Sequence, residues 1–409
     1  MRVLHILNRF NIGGPIYYVA YLTKFMPDEF DTMLIGGVKE EEEGTSEYIL
    51  EQYGIKPIVI KLMYRSISWL DIKAYKEIKK IIKEYQPDIV HTHAAKAGIL
   101  GRLAAKVCGV KVIVHTFHGH VFDKYFGGLK SFIYKTIERI FALLSTKIIA
   151  LSNLQAQELC EKYRICPKKK IVVIPLGLDL TKFFEETDRK RQQFRQWYNI
   201  ADDEIAVAII GRLAPIKNFK FFLEVINLVL QTTSKKVKFF VVGDGEEHKM
   251  IEQYAEHLGI SYANYNHLAG GQCPDVSLIL TSWIKEVDCV NAGVDIVTLT
   301  SLNEGTPTSL IESQAANKPI VANRVGGVAD IVLEGKTALL AERDNLEDFV
   351  SKMLQLIEDD DLRSKMSQEG ASFAKKRFDY SVLIASMSDL YLNLYQQKVS
   401  TRDKKANYQ

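Results

Sequence analysis

Short apolar runs alternate with longer amphipathic stretches along almost the whole of this chain, and the alternation restarts once. RVLHIL, TMLIGG, PIVI, DIVHTH, KVIVHTFH, KIIALS and KIVVIPLG read as buried strands, separated by helical patterns such as YYVAYLTKFM and IKAYKEIKKIIKEY. Strands that alternate with helices predict a parallel sheet with helices on both faces. A charged stretch, TKFFEETDRKRQQFRQWYNIADDE (181–204), interrupts the pattern and reads as a linker with an exposed helix. The alternation then resumes with IAVAIIGRL, KFFVVGDG, DVSLIL, VDIVTLTS, PIVANRVGG and ALLAE. The fold class is therefore α/β, with two Rossmann-like doubly wound domains. The expected boundaries are 1–177 for the first, 178–200 for the linker and 201–377 for the second, with a polar, disordered tail over 398–409. Ligands of open parallel sheets sit beyond the carboxyl ends of the strands, so two such domains are expected to face one another across a cleft.

Composition narrows the functional classes. The 409 residues are 47% apolar and 25% charged, as in ordinary globular proteins, and the formal charge of +3 does not demand a nucleic-acid partner. Five cysteines without a CxxC pair suit reduced thiols in a cytoplasmic protein. The opening MRVLHILNRF is too short an apolar run for a signal peptide. No apolar run reaches the length of a membrane span; the best, around 140–151, contains Ser145, Thr146 and Lys147. The acidic run at 40–43 reads as a solvated loop.

Candidate functional residues cluster just after strands. In SLNEGTPTSLIESQAANKPIVANRVGGVADIV (301–332), Glu304 and Glu312 flank a helix start, with Gly305, Thr306, Thr308 and Ser309 between them. Helix N-terminal N–H groups favour an anion, and carboxylates accept hydrogen bonds from sugar hydroxyls. Pro307 fits the first helical turn. In IIGRLAPIKNFKFFLEVI (209–226), Arg212 and Lys217 suit a diphosphate, one as a fork and one as a point charge; a pair of surface cations is the alternative. HILNRFNIGGPIYYVAYL (5–22) is a strand, a turn and a helix, in which Gly13 and Gly14 let backbone approach a phosphate; a tight turn without a ligand is the alternative. It is not GxGxxG, and the second strand ends in Gly36–Gly37 with no acidic residue for an adenosine ribose, which argues against NAD. Asp244 and Gly245 of VVGDG read as structural. The histidines of HTH (91–93) and HTFHGH (115–120) lack a carboxylate or cysteine to complete a metal set, so no metal is expected, and His118 is the one placed to meet a substrate. The stretch 129–147 is amphipathic and basic, fitting either a core-packed helix or a face on anionic lipid.

Taken together, N-IGG (11–14), TFH (116–118), PLGLD (175–179), GRLAPIKN (211–218), VGDG (242–245), NEGTPTSLIE (303–312) and ANRVGGVADIV (322–332) resemble the retaining glycosyltransferases of family 4, with the GT-B fold. The resemblance covers nearly the whole length. It implies that Gly13 and Gly14 border the diphosphate and acceptor side, and that His118 reaches the donor sugar. By the same resemblance Arg212 and Lys217 hold the diphosphate, Glu304 binds sugar hydroxyls beside the backbone of 305–309, and Glu312 holds the nucleotide ribose. It also implies that the segment 378–397 crosses back onto the first domain. One departure is the polar, irregular YANYNHLAGGQCPDV (262–276), where the family commonly has an apolar strand and a glycine loop.

The expected activity is transfer of a hexosyl or N-acetylhexosaminyl unit from a nucleotide diphosphate sugar, with UDP the default, to a saccharide or lipid-linked acceptor in surface-polysaccharide synthesis. Neither cofactor nor metal is expected, because Arg212, Lys217 and helix N-termini can stabilise the departing diphosphate. Val121, Phe122, Tyr125 and Phe126 with nearby lysines hint at a lipid-linked or surface-polysaccharide acceptor. The expected location is the cytoplasm, with peripheral contact at the inner face of a membrane left open by the amphipathic stretch 129–147. The alternatives are a nucleotide-sugar 2-epimerase of the same fold and a catalytically silent subunit that binds nucleotide sugar.

Overall fold

The computed structural model describes residues 1–11, 14–40, 45–64, 66, 68–119 and 128–406. The chain forms two compact units, Met1–Leu178 with Phe378–Gln409, and Asp179–Arg377.

In the first unit seven strands form one parallel sheet: β1 (Arg2–Leu7), β2 (Asp31–Gly37), β3 (Ile58–Ile60), β4 (Ile89–His93), β5 (Val112–Phe117), β6 (Lys147–Ala150) and β7 (Ile171–Val173). Their order is β3-β2-β1-β4-β5-β6-β7, so the direction of winding reverses between β1 and β4. β4 and β5 are buried along their whole length, as strands covered on both faces must be. β3 departs from the expected buried run. It is the sheet's edge, and Ile58 and Val59 are exposed. The helix Tyr380–Ala406 closes this unit with Leu383, Met387, Tyr391 and Leu394, which share one helix face and are all buried. The chain's exit and return are stitched together: Leu178 N donates to Phe378 O at 2.7 Å and Tyr380 N to Leu178 O at 3.0 Å.

The second unit repeats the plan with β8 (Ile205–Ile210), β9 (Val237–Val242), β10 (Tyr262–Asn264), β11 (Leu278–Ser282), β12 (Ile296–Leu299), β13 (Ile320–Asn323) and β14 (Ala338–Ala341). All pair in parallel in the order β10-β11-β9-β8-β12-β13-β14, and winding reverses between β8 and β12. β10 lies inside the segment read as irregular. It is a three-residue edge strand of polar, half-exposed residues, so no apolar run announced it.

Two sequence expectations are corrected. Residues 179–200 do not link the units but belong to the second. The helix Thr187–Trp197 buries Phe194, and Tyr198 just beyond it is buried as well. The charges that suggested solvent point inward instead: Lys190 pairs with Asp288 at 2.9 Å, and Arg191 and Arg195 pair with Asp295 at 2.7 and 3.2 Å. The expected disordered tail is also helical as far as Ala406, because it continues the helix that closes the first unit.

Candidate active site

In the second unit the site residues gather where the winding reverses. β8 ends at Ile210, and a single 3-10 turn, Pro215–Lys217, carries Lys217 to the start of the helix Phe219–Thr232. Beside it, β12 runs into the loop that holds Glu304. Hydrogen bonds lace the two loops: Thr300 Oγ1 donates to Lys217 O at 2.9 Å, and Leu302 N to Ile216 O at 2.8 Å. Lys217 Nζ lies 2.7 Å from Glu304 Oε1, which also accepts from Ser301 Oγ at 2.6 Å. Both side chains of the pair are largely screened, at 17% and 13% exposure. A third loop fixes the backbone here. Gly327 N donates to Glu304 O at 3.1 Å, and Gly326, at φ +49°, leaves no room for a Cβ against that same oxygen.

Gly305 and Thr306 continue the loop. Pro307 stands just before the helix Thr308–Ala315 rather than inside its first turn, and Thr308 and Ser309 are the first two helical residues. The first backbone N–H groups of that helix have no side-chain cap from Pro307, and with the positive end of the dipole they come directly after the Glu304 loop in the chain. Glu312 follows one turn later and is half-buried. Burial pushes its carboxyl up to about 7, with the Lys182 ammonium pulling the other way.

Arg212 is placed differently. It stands two residues past the end of β8, directly after Gly211, but its Nη2 donates to both oxygens of Glu246 at 3.0 and 2.9 Å, on the loop after β9. It is largely exposed, and the structure does not bond it to Lys217 or Glu304. Asp244 is structural as expected, since its carboxylate accepts from Ser282 Oγ at 3.1 Å. Reading the sequence missed Ser301, Thr300 and Glu246. Ser301 opens the very stretch that names Glu304, so its place was visible there, whereas Glu246 carries no distinguishing signal.

The first unit has its own switch point, and histidines occupy it. His5 lies on β1, His91 and His93 on β4, His115 on β5 and His118 just after it. His93 Nδ1 is 3.1 Å from His118 Nε2, and His5 Nδ1 is 3.4 Å from His93 Nε2. His91 is bonded at both nitrogens, to Tyr391 Oη at 2.6 Å and Thr116 Oγ1 at 2.7 Å. Burial drives His5 and His118 down to about 3 and holds His91, His93 and His115 well below the usual imidazole range, so all five are neutral at pH 7. Ring nitrogens of His5, His91 and His93 lie within 4.8 Å of one another, the one such group of three among the described residues. The bonds of both His91 nitrogens, to Tyr391 and Thr116, link the group into a chain of neutral imidazoles and hydroxyls. Tyr18 stands edge-on to His118 at 5.0 Å. Gly14 begins the helix Gly14–Lys24 with open space where a Cβ would stand. Gly13, His120, Val121, Phe122, Tyr125 and Phe126 lie outside the described residues.

Comparison with known proteins bears on the family and the fold. The family described as glycosyl transferases group 1 matches residues 190–373, and Glycosyltransferase Family 4 matches 12–182. The chain is 28% identical over 378 residues to the Escherichia coli UDP-Gal:alpha-D-GlcNAc-diphosphoundecaprenol alpha-1,3-galactosyltransferase, covering 92% of each chain. It is 23% identical over 394 residues to the Campylobacter jejuni N,N'-diacetylbacillosaminyl-diphospho-undecaprenol alpha-1,3-N-acetylgalactosaminyltransferase, covering 95% of this chain and 97% of that one. Among solved structures it resembles Anabaena HepE in complex with UDP, with a TM-score of 0.78 and 18% identity over 96% of this chain and 100% of that one. The lipopolysaccharide outer core galactosyltransferase WaaB gives a TM-score of 0.69 and 15% identity over 98% and 100%. The two seven-stranded Rossmann-like units and both family matches converge: the chain is an enzyme of glycosyltransferase family 4, with the GT-B fold.

Proposed function

We propose that this enzyme transfers a hexosyl or N-acetylhexosaminyl unit from a UDP-sugar to a lipid-linked saccharide with retention of configuration, in cell-surface polysaccharide synthesis. The observation that carries the reading is the Lys217–Glu304 pair at the switch point, 2.7 Å apart, beside the uncapped start of the helix Thr308–Ala315. A departing UDP needs fixed positive groups at its phosphates. Lys217, Arg212 and the first N–H groups of that helix supply them without a metal, a kind of stabilisation worth about 3–4 kcal/mol for a single well-placed donor. When the diphosphate takes the ammonium, Glu304 is released to accept from sugar hydroxyls. Glu312 accepts from the nucleotide ribose, and neutral His118 bonds the donor sugar. Gly13 and Gly14 border the diphosphate and the acceptor. No carboxylate is assigned as a covalent nucleophile, so the same-face route is favoured, with a diphosphate oxygen taking the acceptor's proton.

The lipid-linked acceptor rests on the relatives. Both the Escherichia coli and the Campylobacter jejuni proteins are named for transfer to diphosphoundecaprenol-linked sugars, and the former for UDP-Gal. The test is incubation of the purified enzyme with a panel of UDP-sugars and a GlcNAc-diphospholipid. Acceptor-dependent UDP release and an α-linked product are expected, and Lys217→Ala should lower kcat about 10²–10³-fold. Epimerisation of the UDP-sugar without acceptor would replace this reading with the epimerase. Full function of Lys217→Ala and Glu304→Ala in cells would replace it with the silent subunit.

A further inference from the structure

The helix Gly128–Leu144 turns its polar side into the protein and its apolar side out. At 100° per residue, Ser131, Glu138 and Ala142 fall on one face, and Phe132, Ile133, Thr136, Ile140 and Leu143 on the opposite one. The first face is buried, with Ser131 at 6%, Glu138 at 4% and Ala142 at 1% exposure. There Glu138 accepts from Arg102 at 2.7 Å, an ion pair closed off from water. On the other face Phe132 is 62% exposed, Ile133 48%, Ile140 55% and Leu143 74%. This is the reverse of a helix whose outer face meets water alone. Isolated exposed apolar residues need no explanation, but four large ones on one face, roughly 17 Å from first to last, mark an interaction surface. Thr136 adds no polar anchor, because its hydroxyl donates to Phe132 O at 2.9 Å within the helix.

The chemistry of the rim selects the partner. Glu138 is the single acidic residue between 128 and 147, and it is buried. Lysines gather at the helix's C-terminal end. Lys170 Nζ donates to Ala142 O, Leu143 O and Ser145 O at 2.9, 3.1 and 2.9 Å, and Lys147 Nζ donates to Lys169 O at 2.6 Å. Lys168 and Lys169, both exposed, directly precede Lys170 and so lie near that end of the helix. An apolar stripe without open hydrogen-bonding groups, ended by cations, matches the acyl boundary of a membrane and its anionic headgroups. No helix among the described residues is long and apolar enough to cross a membrane, so this contact lies on the surface.

We propose that the outward face of the helix Gly128–Leu144 docks on an anionic phospholipid bilayer, with Phe132, Ile133, Ile140 and Leu143 entering the acyl boundary and Lys168 and Lys169 meeting the phosphates. This holds whichever sugar and acceptor the enzyme uses. The test is flotation of the full chain, without nucleotide, with vesicles of phosphatidylcholine alone or containing about one-third phosphatidylglycerol. Binding to the anionic vesicles is expected, weakening several-fold in high salt and in Lys168→Gln/Lys169→Gln. Ile140→Glu/Leu143→Glu should weaken it at least about tenfold. Thermal melts check that this variant is folded, and Ile140→Ser/Leu143→Ser, which adds no charge, should lose binding in the same direction. Wild-type protein that stays with the soluble fraction overturns the proposal, as does binding unchanged in both double variants. A concentration-dependent dimer in light scattering that Leu143→Glu abolishes also overturns it, assigning the face to a second copy. Sugar transfer to a water-soluble acceptor, read as UDP release, reports separately on catalysis, so failure of either reading is visible without the other.

Discussion

A Cβ on residue 326 would stand 1.9 Å from the Glu304 carbonyl oxygen, with φ already at +49°. Gly326→Ala is therefore expected to move the Glu304 loop or destabilise the second unit by about 2–4 kcal/mol, read from urea melts beside UDP-binding titrations. Glu312 gives a pH signature. Burial keeps its proton on in the folded chain up to about 7, whereas an unfolded glutamate loses it near 4.3. Its contribution to stability is thus complete below about 4.3 and lost as pH rises through 7. Glu312→Gln should melt a few degrees above wild type at pH 8, a gain of about 1–3 kcal/mol, and the difference should narrow toward pH 5 and close below about pH 4. At this scale the sequence carried much of the site. A glutamate after a strand and a lysine after another were both readable, because residues at carboxyl ends of parallel strands converge. The bond between them was not readable, since it depends on the lacing of two loops 83 residues apart. Nor was the turning of Arg212 to Glu246, a choice between exposed carboxylates.

Among the elements, β1, β4 and β5 bring five neutral histidines together, and this sets an acid limit on the first unit. Each is held below its unfolded pKa, so the stabilisation is present above about 6.5 and lost as pH falls. Between pH 6.5 and 5 the loss amounts to about 2 kcal/mol for each histidine that stays neutral while folded. Chemical melts should therefore weaken steeply below pH 6.5, and His5→Gln should reduce the slope by about one proton. The strands behind this arrangement were legible as apolar runs. β10 was hidden because edge strands need no apolar face, and the helix Thr187–Trp197 was misread because its cations serve inward ion pairs. The helix Gly128–Leu144 was visible as amphipathic. Which side faced the protein was not, because the buried Arg102–Glu138 pair inverts the usual rule.

For the whole molecule, the second unit is one continuous stretch, Asp179–Arg377, with its own apolar core of Val207, Phe222, Phe239 and Phe349. Expressed alone, residues 179–377 should fold cooperatively and bind UDP, as calorimetry would report. A chain ending at residue 378 should keep that transition and lose the one belonging to the first unit, because Tyr391 and its bond to His91 are gone.

The first unit's sheet is made by residue 173, yet the helix that completes its covering lies beyond residue 379. On the ribosome, some 200 residues separate the two, roughly 10–40 s of synthesis. Through that interval the nascent first unit lacks the helix that packs Leu383, Met387, Tyr391 and Leu394 into it, and that part of its apolar surface stays uncovered. Chaperone demand during translation thus follows from where the chain re-enters its first half.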